Sequence, residues 1–238
     1  MIRKLQLVVF LFGCFTMYSQ IEVKSNPYSF QNPAIEKIDM QLERIISPTK
    51  RISKALEEDE IDKKNGMPPR FGLKMDSDIT TENSGKWTDV KDGGRIWRMP
   101  IKSPGAISIS LLYDYFHLPP GGKLHIYNVQ RTQTIGAFTD INNKGDFKAP
   151  GRFATGLVYG DEIILEYFHP KNAIHEPIIS IKGVVHGYKY IRLPADFVNE
   201  QDNGTNGGSG NCQVNINCAE GNTWQDEKRG VAMLLIND

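Results

Sequence analysis

The run Ile107-Ser108-Ile109-Ser110-Leu111 alternates apolar and small polar side chains without a break. Successive side chains of an extended backbone point to opposite faces, so this run presents isoleucine and leucine to a core and serine to the other side. It predicts one strand of a half-buried sheet. Working outward, Lys123 to Tyr127, Thr134 to Thr139, Phe153 to Tyr159, Glu162 to Tyr167 and Ile178 to Val185 are further short runs rich in β-branched and aromatic residues. Between them stand Pro119-Pro120-Gly121-Gly122, Asn142-Asn143-Lys144-Gly145 and Gly160-Asp161, residues that favour tight turns. Short strands separated by such turns from about Lys86 to Leu193 predict a β-sandwich, with domain bounds at 73–195. Trp87, Trp97, Tyr113, Tyr115, Phe116 and Tyr127 are read as filling its core in preference to stacking on a sugar or peptide.

Upstream the pattern is different. Asn32-Pro33 supplies an N-cap followed by proline at a first helical position, and Ile35, Ile38, Leu42, Ile45 and Ile46 form one apolar helix face that Ser47-Pro48 interrupts. A second helical piece is expected over Arg51 to Leu56. The charged run Glu57 to Glu60 and the following Lys63-Lys64-Asn65-Gly66 read as a solvated segment ending in a turn, and Met67 to Gly72 as an extended connector. Residues 20–72 thus form a helical and extended N-terminal segment.

Met1-Ile2-Arg3-Lys4 is short and basic, Leu5 to Tyr18 is almost wholly apolar, and polarity returns at Ser19-Gln20. This is the layout of a secretory signal peptide, residues 1–19, with cleavage expected at Ser19 and Gln20. The apolar run is shorter than the roughly 20 residues a permanent membrane anchor needs. Leu11-Phe12-Gly13-Cys14 is a loose version of a lipoprotein box, and lipidation at Cys14 is the minor alternative. Signal removal leaves Cys212 and Cys218 in an oxidising compartment, extracellular or periplasmic. Two outcomes stay open for them: a small loop closed on each other, or partners outside these residues.

Charge points to no partner. The 28 basic and 28 acidic side chains balance, which removes any bulk attraction to nucleic acid or an anionic membrane. No P-loop, dinucleotide fingerprint, zinc-spaced Cys/His set or nucleophile elbow is present, and no cofactor is expected. Ser209 in Gly207-Gly208-Ser209-Gly210 lies in a glycine-rich linker, not on a strained strand-to-helix turn. His117, His125, His169, His175 and His186 are scattered singly; a metal site of His169, His175 and Glu176 is the sharper reading and separate loop or edge-strand histidines the favoured one. Asp76-Ser77-Asp78 with Glu82 carries calcium-type oxygens but lacks the glycine turn and full ligand spacing of an EF-hand loop, so an exposed loop is expected. No catalytic or metal residue is assigned.

The segment 196–211, with glycine at 204, 207, 208 and 210, reads as a flexible linker. Beyond it lies Ser209-Gly210-Asn211-Cys212, five residues, then Cys218-Ala219-Glu220-Gly221, and Trp224-Gln225-Asp226-Glu227-Lys228-Arg229-Gly230-Val231-Ala232. This stretch resembles the start of the mature domain of lysyl endopeptidase-like serine proteases. Arg70-Phe71-Gly72, Val90 to Trp97, Ser103-Pro104-Gly105-Ala106, Leu118 to Asn128, Gly136-Ala137-Phe138-Thr139 and Val185-His186-Gly187-Tyr188 resemble pieces of the pro-region of such precursors. The resemblance implies that residues 212–238 open a trypsin-like double β-barrel, truncated here, and that the pro-region's partner is its own catalytic domain, which acts on protein substrates.

The family's catalytic histidine lies in a T-A-x-H-C motif that these residues do not contain, so no triad member is carried over and this chain alone is expected to be inactive. The resemblance also implies that Cys212 and Cys218 pair with cysteines further along. Processing is expected between 196 and 211; the nearest upstream lysine is Lys189, in or beside a strand. A pre-folded β-domain can template a barrel whose long-range pairings close slowly, and can cover its cleft until cleaved. The rival reading is a secreted β-sandwich binding module for carbohydrate or a cell surface.

Overall fold

The computed structural model describes residues 23–32, 44–45, 48–91, 93–191 and 223. It is mainly β. The described residues fall into two compact units: one holds the chain up to Pro48 together with Leu73–Tyr188, the other Thr49–Gly72 together with the chain from Lys189.

The first unit carries two sheets. One has the order β1 (Arg44–Ile45), β4 (Arg95–Lys102), β10 (Glu162–His169), β6 (Lys123–Asn128), β7 (Thr134–Phe138), with β3 (Lys86–Asp89) also on β4. All its pairings are antiparallel except the two-residue β1 addition. The other has the order β2 (Gly72–Thr80), β11 (Ile178–Gly187), β5 (Ser108–His117), β8 (Gly151–Ala154), with β9 (Val158–Tyr159) also on β5.

One apolar cluster joins the two sheets. From the first come Trp97, Met99, Ile101, Leu124, Ile126, Phe138, Ile163, Leu165 and Tyr167; from the second come Ile79, Ile109, Leu111, Tyr113, Phe116, Ile179, Ile181 and Val184. Within β4 and β10 these residues are two apart, as a strand with one face on a core requires. Burying this much apolar surface is the main force holding the sandwich. Trp97, Tyr113, Phe116 and Tyr127 are buried and Trp87 packs against the core, whereas Tyr115 is exposed.

Three local expectations are corrected. The run Phe153 to Tyr159 is two strands, β8 and β9, because Thr155 leaves the ladder: its amide donates to the Leu111 carbonyl and its hydroxyl accepts from the Leu111 amide. Residues 72–80, including Asp76-Ser77-Asp78, form strand β2 and not a loop. Lys74, Asp76 and Asp78 are its exposed positions, while Leu73 and Ile79 are buried; Lys182 pairs with Asp78 and Lys74 lies 3.6 Å from Asp76. Those carboxylates are engaged by lysines. The helix expected over Arg51 to Leu56 runs instead from Thr49 to Lys64 (α2), taking in the acidic run. Glutamate and lysine are good helix formers, no breaker occurs before Gly66, and Gly66 ends the segment at φ +69°.

In the second unit, α2 is tied to the chain around it by charge. Arg70 reaches Glu58 at 2.9 Å, Asp62 at 3.3 Å and the buried Asp59 at 3.7 Å. Lys189 reaches Asp59 at 2.7 Å, and its amide donates to the Phe71 carbonyl.

Candidate functional site

The outer face of the first sheet should be wet by the alternation rule. It is covered. Residues 23–32, including the one-turn helix α1 (Tyr28–Gln31), cross it: Val23 exchanges two backbone hydrogen bonds with Ala137 on β7, at 3.1 and 3.0 Å. Tyr28 then stacks on Phe168 with ring centroids 5.7 Å apart, and Phe30 meets Tyr127 edge-on at 4.8 Å.

Beneath this crossing segment lies a row of polar side chains on adjacent strands. Arg98 on β4, Glu166 on β10 and His125 on β6 are register partners across the sheet, each at most 3% exposed. Burial of such groups is unfavourable unless they are paired. Glu166 is satisfied from two sides: the Ser29 amide donates to one oxygen at 2.9 Å and the Tyr127 hydroxyl to the other at 3.1 Å. Burial lowers the pKa of His125 despite the nearby Glu166, and raises that of the Tyr127 phenol.

Beside the row a cleft of about 450 Å³ opens, lined by Ser25, Asn26, Tyr28, Gln31, Lys123, His125 and Phe168. Ser25 Oγ stands 3.1 Å from His125 Nε2, a distance that suggests a nucleophile and its base. The same nitrogen lies 3.0 Å from the Ser25 carbonyl oxygen, which only an N–H can satisfy. Nε2 is therefore the donor, and it cannot also take a proton from Ser25. The other serine–histidine contact, Ser103 Oγ to His186 Nδ1 at 2.7 Å, is fully buried and unreachable by a substrate. Neither pair is a catalytic dyad.

The second contact explains two of the motifs. His186 belongs to Val185-His186-Gly187-Tyr188 and Ser103 to Ser103-Pro104-Gly105-Ala106, so the hydrogen bond pins one motif to the other. Gly187 adds to this, since a Cβ there would collide with Ser108 Oγ. Gly136-Ala137-Phe138-Thr139 supplies the edge that receives Val23, and Pro119-Pro120-Gly121-Gly122 closes a turn with Gly121 at φ +82° and a Gly122 amide to Pro119 carbonyl bond of 2.9 Å. In Arg70-Phe71-Gly72, Arg70 makes the α2 ion pairs already described. These motif residues hold the fold.

The histidine and carboxylate set expected as the sharper metal reading is only partly assembled. His169 Nε2 and Glu176 are 3.9 Å apart, but Glu176 is paired with Arg95 and the His169 Nδ1 edge faces the Tyr167 hydroxyl at 3.0 Å. His175 instead has its ring beside His117 and Phe147. Among the described residues no three metal-type ligands converge, and no helix is long and apolar enough to cross a membrane. Ser19 and Gln20, Cys14, Ser209, Cys212 and Cys218 lie outside the described residues. Of the apolar helix face expected over Ile35 to Ile46, Ile45 alone is described, and there the expectation is corrected: Arg44–Ile45 is strand β1, paired in parallel with Ile101 and Lys102 on β4, because its backbone groups are taken by the sheet edge. Searched against protein-family models, the chain matches none.

Proposed function

We propose that this chain is the N-terminal part of a secreted serine endopeptidase precursor of lysyl endopeptidase type. In this reading residues 73–195 are a β-sandwich pro-domain that aids folding of the catalytic domain and inhibits it before processing between 196 and 211. The observation that carries the reading is the Ser209 to Ala232 pattern, with its two cysteines separated by five residues and its W-x-D-E-x-R-x-V-A run, directly downstream in sequence of a β-domain. One feature supports it further: motifs that resemble those of such pro-regions fall on residues that pin the sandwich together, as the Ser103–His186 hydrogen bond and the Val23–Ala137 backbone pair do.

Co-expression of the full chain with a complete lysyl endopeptidase-like catalytic domain tests the proposal. Active-site titration is expected to show a higher yield of folded enzyme, and added chain is expected to reduce hydrolysis of a lysyl substrate. Unchanged yield together with unchanged activity would sink it.

One observation favours the second reading, a secreted binding module for carbohydrate or a cell surface. The cleft beside Tyr28 and Phe168 combines an aromatic stack with the amides of Asn26 and Gln31 and the Lys123 ammonium group, a lining that suits a hydroxylated ligand. Retention on an immobilised polysaccharide, lost on Phe168→Ala, would favour that reading over the first.

A further inference from the structure

Three strands of observation meet at one end of the sandwich. His117 closes β5 and His175 sits in the β10–β11 connection, yet their ring centroids are 5.0 Å apart, with Phe147 from the β7–β8 connection 4.3 Å from His175 and 5.9 Å from His117. His117 Nδ1 is buried and has no hydrogen-bond partner among the described residues. His175 Nδ1 is bonded to the Glu176 carbonyl at 2.8 Å.

We propose that His117 and His175 form a two-imidazole site for a divalent transition metal ion, copper(II) or zinc(II), with water completing the coordination.

The ring spacing suits one shared ion. With a metal–nitrogen bond of about 2.0–2.1 Å and a ring centre about 1.1 Å behind the nitrogen, each centroid stands roughly 3.2 Å from the metal. Two centroids 5.0 Å apart then subtend roughly 100° at the ion, close to the tetrahedral angle of zinc. The bond from His175 Nδ1 to a backbone carbonyl is the outer contact typical of a ligating imidazole, because it fixes the tautomer and leaves Nε2 with its lone pair available. An unpartnered buried nitrogen on His117 is costly by itself, and coordination would satisfy it.

The chemistry of the surroundings agrees. Asp140 and Asp146 contribute negative potential at His117, which favours a cation there. Two imidazoles without thiolates select borderline ions such as copper(II) and zinc(II) over calcium or magnesium. No third protein ligand converges among the described residues.

The test is titration of the full chain, cysteines alkylated, with copper(II), read by electron paramagnetic resonance. The site predicts one equivalent of copper with hyperfine coupling to two imidazole nitrogens. Either His175→Ala or His117→Gln should weaken this binding by more than about tenfold. Zinc(II) should raise the melting temperature of the wild type and not of His175→Ala. Because His175 is a half-buried loop residue, that variant is expected to fold as the wild type does, as circular dichroism will show. Copper binding unchanged in His175→Ala, or no nitrogen-ligated copper signal in the wild type, would overturn the proposal.

Discussion

Replacing Glu166 with alanine is expected to cost about 3–5 kcal/mol of unfolding free energy, the range seen when one member of a buried ionic group is removed. Three losses add up. Arg98, directly across in register and 3% exposed, loses its neighbouring carboxylate; the Ser29 amide and the Tyr127 hydroxyl each lose their acceptor. The segment 23–32 would then be held on the sheet by its two backbone bonds to Ala137 and by the Phe30 and Tyr28 ring contacts. A domain of this size has about 5–15 kcal/mol in total, so the variant should melt about 6–20 °C lower. Glu166→Gln keeps an oxygen acceptor and should fall between the two. Urea denaturation of the three proteins decides the matter, and a Glu166→Ala loss below about 1 kcal/mol, the net worth of an ordinary hydrogen bond, would show the row to be structurally idle.

Stability is also expected to fall on mild acidification, starting well above the range where carboxylates titrate. His117, His125, His169 and His186 all have pKa values lowered from 6.5, in each case mainly by burial. Their folded pKa values lie below the unfolded ones. Between the two, the unfolded chain binds more protons than the folded one, so stability present above about pH 6.5 is lost as pH falls through the folded values. Each such histidine contributes a slope of at most about 1.4 kcal/mol per pH unit while the inequality lasts. At the alkaline end the buried phenols of Tyr113, Tyr127 and Tyr167 have raised pKa values, so their contribution is present below about pH 10 and lost above it. The melting temperature should therefore form a plateau from near neutrality to about pH 10. A melting temperature flat from pH 7 down to pH 5 would contradict this.

How much of this could be read in the sequence depends on which face of a strand a residue occupies. Inner faces were legible where apolar residues recur at every second position, as Ile109 and Leu111 do on β5 and Ile163, Leu165 and Tyr167 on β10. The wet opposite face expected from Ser108 and Ser110 is corrected: both serines are buried, and Ile107 lies exposed just outside the strand. Strand β2 was not, because Asp76 and Asp78 resemble a calcium loop until their alternation with Met75, Ser77 and Ile79 is noticed. The acidic half of α2 was missed for a related reason: charge density reads as loop when helix propensity is ignored. The covered outer face had no local signal at all, since Tyr28, Ser29 and Phe30 show no period and their partners lie about a hundred residues away. Glu166 stands on the outer face of β10, where alternation alone gives no sign that a distant segment covers it. The same distance problem hid the pairing of His117 with His175, and it led the sharper metal reading to the sequence neighbours His169 and Glu176.

The coding sequence downstream of the Asp238 codon tests the pro-region claim most directly. The account predicts an open frame that runs into T-A-x-H-C and, later, a G-x-S-G motif. A stop codon immediately after Asp238 would contradict it and leave the binding-module reading in its place.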